Sequence, residues 1–403
     1  MSHTLGGAQP AQTLPPYTKW YNVHERHSLS EFKAEGLILG FVAVFLLVHL
    51  FGARLNRNKA KKWMRAHAAP LASEFATVGF KGVPLPTLEK NGEDLVKQVE
   101  DSDLSKSALK ESSLFEFTTY ATGRANVAFV DVKLTLKKRF NPLIVISEYV
   151  LGFFMESLGQ PEDVCEAILY PFDGQEEKLV PSVPGAAELR PKDSKSSYDN
   201  FVWGLVHKER MKQVRDDRYD VSLTLTKDNS KLPNWLTVMT ESAEITDLIL
   251  TPELIKAAET AGDLFEYLIV TDQPVDRPTT VDETKPRKRI FLKYRLPSDG
   301  DYTPLLPIFK IYLRLSDLLA QSAHFRPEVT RKVRLVREEA IKFIKKADEE
   351  EKAAELAAER EKARKAKRDA ELSQLDAKAQ KKYLEKERER ELRKQTKRQT
   401  TRG

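Results

Sequence analysis

Residues Gly36–Phe51 read GLILGFVAVFLLVHLF, a run without charge and almost wholly apolar. With Gly52 it gives about 17 residues, roughly 25 Å of α-helix at about 1.5 Å per residue. That is near the lower limit for crossing a bilayer and closest to the thinner endoplasmic reticulum membrane, about 27 Å. Arg54, Arg57, Lys59, Lys61, Lys62 and Arg65 follow with no acidic residue among them, whereas Lys19, Arg26 and Lys33 upstream alternate with Glu25, Glu31 and Glu35. The downstream excess of Lys and Arg sets that side in the cytosol. A cleaved signal peptide needs a basic start and a small-residue cleavage site, and neither flank provides one. A buried core helix is rarely apolar on every face before ending in six basic residues. His49, inside the run, is read as an interfacial residue.

The single cysteine, Cys165, excludes an internal disulfide and a thiolate metal cluster, and fits a bulk held in a reducing compartment. The net charge is +6, but residues 377–403 alone carry eleven Lys/Arg against four Glu, so the remainder is close to neutral. The basic character therefore belongs to the end of the chain, where it calls for a local polyanionic partner.

Residues 1–34, with Pro10, Pro15, Pro16 and two glycines, read as a short lumenal tail without regular structure. His24 and His27 within it lack a third ligand, so no metal site is expected. The span covers 35–52. Residues 53–70 continue as a basic juxtamembrane helix that Pro70 breaks. There Trp63 suits the headgroup level, and Arg54, Arg57, Lys61 and Lys62 suit an anionic lipid surface.

Between 71 and 325 the pattern becomes mixed. Phe115, Phe117 and Thr119, then Val130, Val132, Leu134 and Leu136, alternate with polar residues around a turn at Gly123, which predicts a half-buried hairpin. Pro142 opens an amphipathic helix over Leu143 to Leu158. Val164 to Tyr170 is apolar and of ambiguous type, and 174–195 reads as a surface loop. Phe201, Val202, Leu205 and Val206 predict a helix reaching Val214. Tyr219, Val221, Leu223 and Leu225 predict a strand, with further strands at 235–239, 264–270 and 290–296. Ser242 to Ala258 reads as helical with a break at Pro252, and Leu305 to Ala323 as the closing helix. Strands and helices without strict alternation define an α+β domain.

Residues 326–403 contain no glycine before Gly403 and are dominated by Glu, Lys, Arg and Ala, which predicts a long charged helical, coiled-coil-like tail. Val333, Val336, Ala340, Phe343 and Ala347 offer a short packing seam. Ser373 and Asp376 resemble a capping box, so a break is expected near 373–376.

No P-loop, dinucleotide fingerprint, zinc-protease motif or nucleophile elbow is present. Cys165 reads as a buried structural thiol, and Asp216, Asp217 and Asp220 as surface carboxylates. No catalytic residue, metal or cofactor is expected. On a helix, Lys382, Lys386, Arg390, Arg393 and Lys397 fall within an arc of about 80°, at about 100° per residue. Such a stripe can neutralise phosphates without reading bases. A solvated charged helix explains the same residues equally well.

The ordered set FTTYATGR (117–124), FVWGLVHK (201–208), RYDVS (218–222), LLP (305–307) and DAKAQKKYLEKE (376–387) resembles the calumin family of coiled-coil-domain-containing proteins of the endoplasmic reticulum membrane. The resemblance implies a non-enzymatic subunit of the translocon-associated PAT intramembrane chaperone complex. It implies as partners the ribosome through its RNA, the protein-conducting channel, a small multi-span membrane protein and nascent multipass proteins. The stripe Lys382, Lys386, Arg390, Arg393 and Lys397 then becomes the ribosome contact. Animal members have a longer acidic lumenal region linked to calcium binding. The front of this chain has none, so that property is not expected here. Two other readings stay open: a membrane-anchored enzyme, which needs a deep pocket with shifted pKa values, and a coiled-coil tether, which needs a continuous apolar seam.

Overall fold

The computed structural model describes residues 32–79, 83–84, 108–155, 160–172 and 198–373, with eight single residues of the tail beyond. The expected lumenal tail, the loop at 174–195 and the capping box at 373–376 lie wholly or largely outside them.

Helix α1 (Lys33–Glu74) runs 42 residues without interruption. Its first half is apolar, and none of Lys33 to Phe51 is buried. From Gly52 onward one stripe is buried: Ala53, Asn56, Ala60, Trp63, Met64, His67, Ala68 and Leu71 recur every three or four residues. The same helix is therefore a candidate membrane span in its first half and a core element in its second. Pro70 does not break it, and α1 continues to Glu74. An internal proline costs about 3 kcal/mol. Here Pro70 and Leu71 are both buried, and burial of apolar surface acts against that cost.

Among the described residues, one sheet of eleven strands forms the body. In chain order these are β1 (Thr77–Val78), β2 (Val83–Pro84), β3 (Lys110–Glu111), β4 (Glu116–Arg124), β5 (Val127–Thr135), β6 (Val164–Pro171), β7 (Trp203–His207), β8 (Leu225–Lys227), β9 (Leu236–Thr240), β10 (Phe265–Thr271) and β11 (Arg289–Arg295). Their spatial order is β2-β1-β4-β5-β6-β11-β10-β7-β9-β8, with β3 on the outer side of β4. Every pairing is antiparallel. The β4–β5 hairpin was legible from its alternation, but its turn falls at Ala125-Asn126, with Asn126 at φ 64°.

Helices α5 (Ala243–Ile249), α6 (Pro252–Ala261) and α7 (Leu306–Ser322) pack with α1 on one face of this sheet and share the main core. The short helices α3 (Met211–Asp217) and α4 (Tyr219–Ser222) cover part of the other face with a second, smaller core around Val206, Met239, Tyr267, Ile269 and Phe291. Helix α2 (Pro142–Phe154) joins neither core; none of its residues is buried. Helix α8 (Pro327–Ser373) spans 47 residues, or about 70 Å.

Two predicted elements are corrected. Residues 203–207 form strand β7, not a helix, between β10 and β9, and all five are buried. A strand covered on both faces is continuously apolar and loses its period of two. Conversely, Tyr219–Ser222 is a turn of helix, and only Leu225–Lys227 is extended. The reason is Asp220, which is fully buried rather than at the surface. It accepts from Arg218 Nε and Nη2 at 3.1 and 2.7 Å, and that guanidinium lies 4.0 Å from the Phe291 ring centre. A flat strand would turn this pair towards solvent.

Candidate functional site

The point where α1 leaves its apolar half is built by four polar residues. Asn56, fully buried, donates from Nδ2 to the carbonyls of Leu114 and Lys137, both at 3.0 Å, and accepts from Arg139 Nη1 at 3.0 Å. Arg139 also donates to both oxygens of Asp163 at 2.9 and 2.5 Å. Lys59 Nζ donates to the same carboxylate at 2.7 Å, and the Lys137 backbone amide donates to it at 2.8 Å. Burial alone would raise the Asp163 carboxyl, but the donors from Arg139, Lys59 and Lys137 outweigh it and bring it down to about 2. Asp163 is thus held ionised as a structural counter-ion. Gly52 completes the junction, since a Cβ there would overlap the Arg139 carbonyl. One turn earlier, His49 meets the Phe140 ring edge-to-face at 5.6 Å.

A few turns further, α1 is locked to the sheet. Trp63 Nε1 donates to Tyr294 Oη at 2.9 Å, Tyr294 Oη lies 3.0 Å from His67 Nε2, and His67 Nδ1 lies 3.0 Å from the Trp63 carbonyl. Burial lowers the imidazole to about 3, with the Trp63 carbonyl pulling weakly the other way. His67 is therefore neutral, donating from Nδ1 and accepting at Nε2. Cys165, next to this cluster, is buried and its thiol is pushed up by desolvation, as befits a structural residue.

These contacts revise the expected membrane-surface set. Trp63 does not offer its ring to a lipid surface, because it is fully buried against His67 and Phe309. Arg54 and Lys62 are exposed and Lys61 is half-buried. Arg57 pairs with Glu111 at 2.9 Å. The signal for the buried set was available in the 3–4 spacing of Ala53, Asn56, Ala60, Trp63 and His67; the basic residues between them obscured it.

A cleft of about 630 Å³ opens beside the junction, lined in part by Lys59, Lys62, Lys137, Arg139, Asp163 and Asp299. Its central carboxylate is already neutralised by Lys59 and Arg139. Among the described residues no cluster of His, Cys, Asp and Glu could hold a metal ion.

At the opposite end, the polar root of α8 is Arg337. Arg337 donates to Glu241 Oε1 at 2.8 Å and to Asp272 Oδ1 at 2.5 Å, and both carboxylates are buried. Burial disfavours the charged guanidinium, but the two carboxylates overcome this and raise its pKa. Val333 and Ile344 are the buried apolar residues of the root, whereas Phe343, expected in the seam, is exposed. From Lys345 to Ala363 every residue is exposed. Of the expected basic stripe, Lys386 and Arg393 are helical and exposed, and Arg393 pairs with Glu389 at 3.2 Å. Lys382, Arg390 and Lys397 lie outside the described residues.

An α+β body is thus built onto the continuation of an apolar N-terminal helix long enough to cross a membrane, and a long charged helix leaves its far side. The family model described as PAT complex subunit CCDC47 matches residues 31–394, and the chain belongs to that family. The chain is 27% identical over 275 residues to the UPF0674 endoplasmic reticulum membrane protein of Saccharomyces cerevisiae, covering 67% of this chain and 60% of the yeast protein. It is 26% identical over 324 residues to the corresponding protein of Schizosaccharomyces pombe, covering 78% and 75%. It is 19% identical over 308 residues to the PAT complex subunit CCDC47 of Danio rerio, covering 72% and 54%.

Proposed function

We propose that this chain is a non-enzymatic subunit of an intramembrane chaperone complex in the endoplasmic reticulum membrane, acting beside the ribosome-bound protein-conducting channel during insertion of multipass proteins. Its N-terminus is lumenal, and its body and tail are cytosolic. The family and the names of its relatives support the compartment and the complex. The observation that supports the scaffold reading is the unbroken α1, which would hold the α+β body at the lipid boundary while α8 projects from the Arg337 root. The partners are a small multi-span membrane protein within the bilayer, nascent multipass chains, the channel, and ribosomal RNA facing Lys382, Lys386, Arg390, Arg393 and Lys397. A tether built on a coiled coil is less well supported, since between Lys345 and Ala363 Leu356 is the sole large apolar residue.

The test is co-sedimentation with ribosomes from solubilised microsomes, comparing the full chain with one ending at Ala370. Full-length protein pellets at low salt and is released as salt rises, and the shortened chain stays in the supernatant. Equal pelleting of the two at every salt concentration removes the tail as the ribosome contact. Protease added outside sealed microsomes digests the tail; protection of the tail overturns the topology.

A further inference from the structure

Helix α2 has a composition that no soluble surface explains. Among its 13 residues the polar side chains are Ser147, Glu148 and Tyr149, and each is already engaged. Ser147 donates to the Ile144 carbonyl at 2.8 Å, Glu148 accepts from Lys138 at 2.7 Å, and the Tyr149 hydroxyl accepts from Lys137 at 2.9 Å. Phe153, Phe154, Leu143, Ile146 and Val150 are 79%, 77%, 64%, 60% and 49% exposed. At about 100° per residue these five project within an arc of roughly 100°. They make one continuous apolar surface, and an exposed surface of this kind marks a contact with a partner or a membrane.

The location of α2 decides between those. Its lead-in, Lys137 to Asn141, is clamped to α1 where the apolar half ends. Asn56 binds the Lys137 carbonyl, Gly52 packs on the Arg139 carbonyl, and His49 touches the Phe140 ring. Asn141 then caps α2 by accepting from the Ile144 amide at 3.3 Å, with Pro142 in the first turn. The helix thus starts at the depth where α1 leaves the bilayer, if residues 35–52 are the span. At about 20 Å it is too short to cross.

We propose that α2 is a second membrane-contacting element, lying in the headgroup–acyl boundary of the leaflet through which α1 enters the body, with Phe153, Phe154, Leu143, Ile146 and Val150 among the lipid chains. An apolar helix held at this depth and too short to span is stabilised in this way. The body would then touch the membrane at two places, the span and α2, which fixes its rotation about the span axis. This inference rests on the proposed span.

The test uses the full-length chain, purified and reconstituted alone in phosphatidylcholine vesicles. A nitroxide is placed on Phe153→Cys, and on Val150→Cys as a second position; Cys165 is buried and does not react. Leu46→Cys reports the span, and Lys352→Cys, on the exposed part of α8, reports water. Collision with oxygen should exceed collision with a water-soluble nickel complex at 153, 150 and 46, with the reverse at 352. A water-like signal at 153 and 150 with a lipid-like signal at 46 overturns the proposal and leaves the span intact. Shielding of 153 and 150 from both reagents assigns the face to a second copy of the chain and also overturns it. A water-like signal at 46 removes the span and this proposal together.

Discussion

Trp63 and Tyr294 stand 231 positions apart, yet the indole Nε1 donates to the phenol oxygen at 2.9 Å inside the core. Through this bond, the helix whose first half is the candidate span is fastened to strand β11, in the middle of the sheet. The energetics of the junction follow from it.

Tyr294→Phe leaves the Trp63 N–H and the His67 Nε2 buried without partners. The expected loss is about 1–3 kcal/mol. It should appear as a lower unfolding midpoint of the detergent-solubilised full chain. Trp63→Ala, which empties a large buried site, costs about 3–5 kcal/mol. An unchanged midpoint for either variant would mean that α1 is not part of the core.

The buried imidazole predicts an acid sensitivity. His67 is brought from 6.5 to about 3 in the folded chain, so below pH 6.5 the unfolded state binds a proton that the folded state refuses. Stability therefore falls as pH drops from 6.5 towards 3, by about 1.4 kcal/mol per pH unit and about 2 kcal/mol at pH 5. Asp163 acts in the same sense, lower on the scale. Its contribution is complete above 3.8 and is lost as pH falls to about 2. The His67→Gln variant, though weaker overall, should show a flatter midpoint between pH 6.5 and 4.5; an identical slope in both proteins would contradict the assignment.

Asp163→Asn removes the counter-ion shared by Lys59 and Arg139. Because both cations are partly solvated, the cost is below that of a fully buried pair, roughly 2 kcal/mol. Gly52→Val should act at the same place by steric overlap with the Arg139 carbonyl. Paired cysteines at His49 and Phe140, joined by a short bifunctional reagent, report this: crosslinking is efficient in the otherwise natural chain and falls when Gly52 is replaced.

Arg337→Ala leaves Glu241 and Asp272 buried without their shared cation, a loss of about 3–5 kcal/mol. Limited proteolysis should then cut near the start of α8 well before the body is digested. Arg337→Lys should rescue only in part, since one ammonium cannot reproduce the planar fork that reaches both carboxylates.

Much of this architecture was legible in the chain. The GLILGFVAVFLLVHLF run stood out because it is apolar on every face, and it forms the exposed first half of α1; the β4–β5 hairpin stood out because one of its faces is covered and the other open. Residues 203–207 misled for the converse reason: FVWGLV is buried on both sides, so no period remained to distinguish strand from helix. Tyr219 to Leu225 had a period of two by accident, and the buried Arg218–Asp220 pair that bends it can be seen only in three dimensions. Trp63 reads as a lipid-surface residue because its neighbours are basic, although its position four residues before His67 marks the inward stripe. The clamp of Asn56, Arg139 and Asp163 joins Asn56 to a residue 83 positions away and carries no local signal.

The unbroken course of α1 has a mechanical consequence. With 42 residues, it is a lever about 63 Å long with no hinge between its two ends. If the apolar end is embedded in lipid, as proposed, a nearby helix that tilts that end by about 10° would swing the other end by roughly 11 Å over that length. Crowding inside the bilayer would be felt outside it as displacement of the whole body, with no chemical messenger needed.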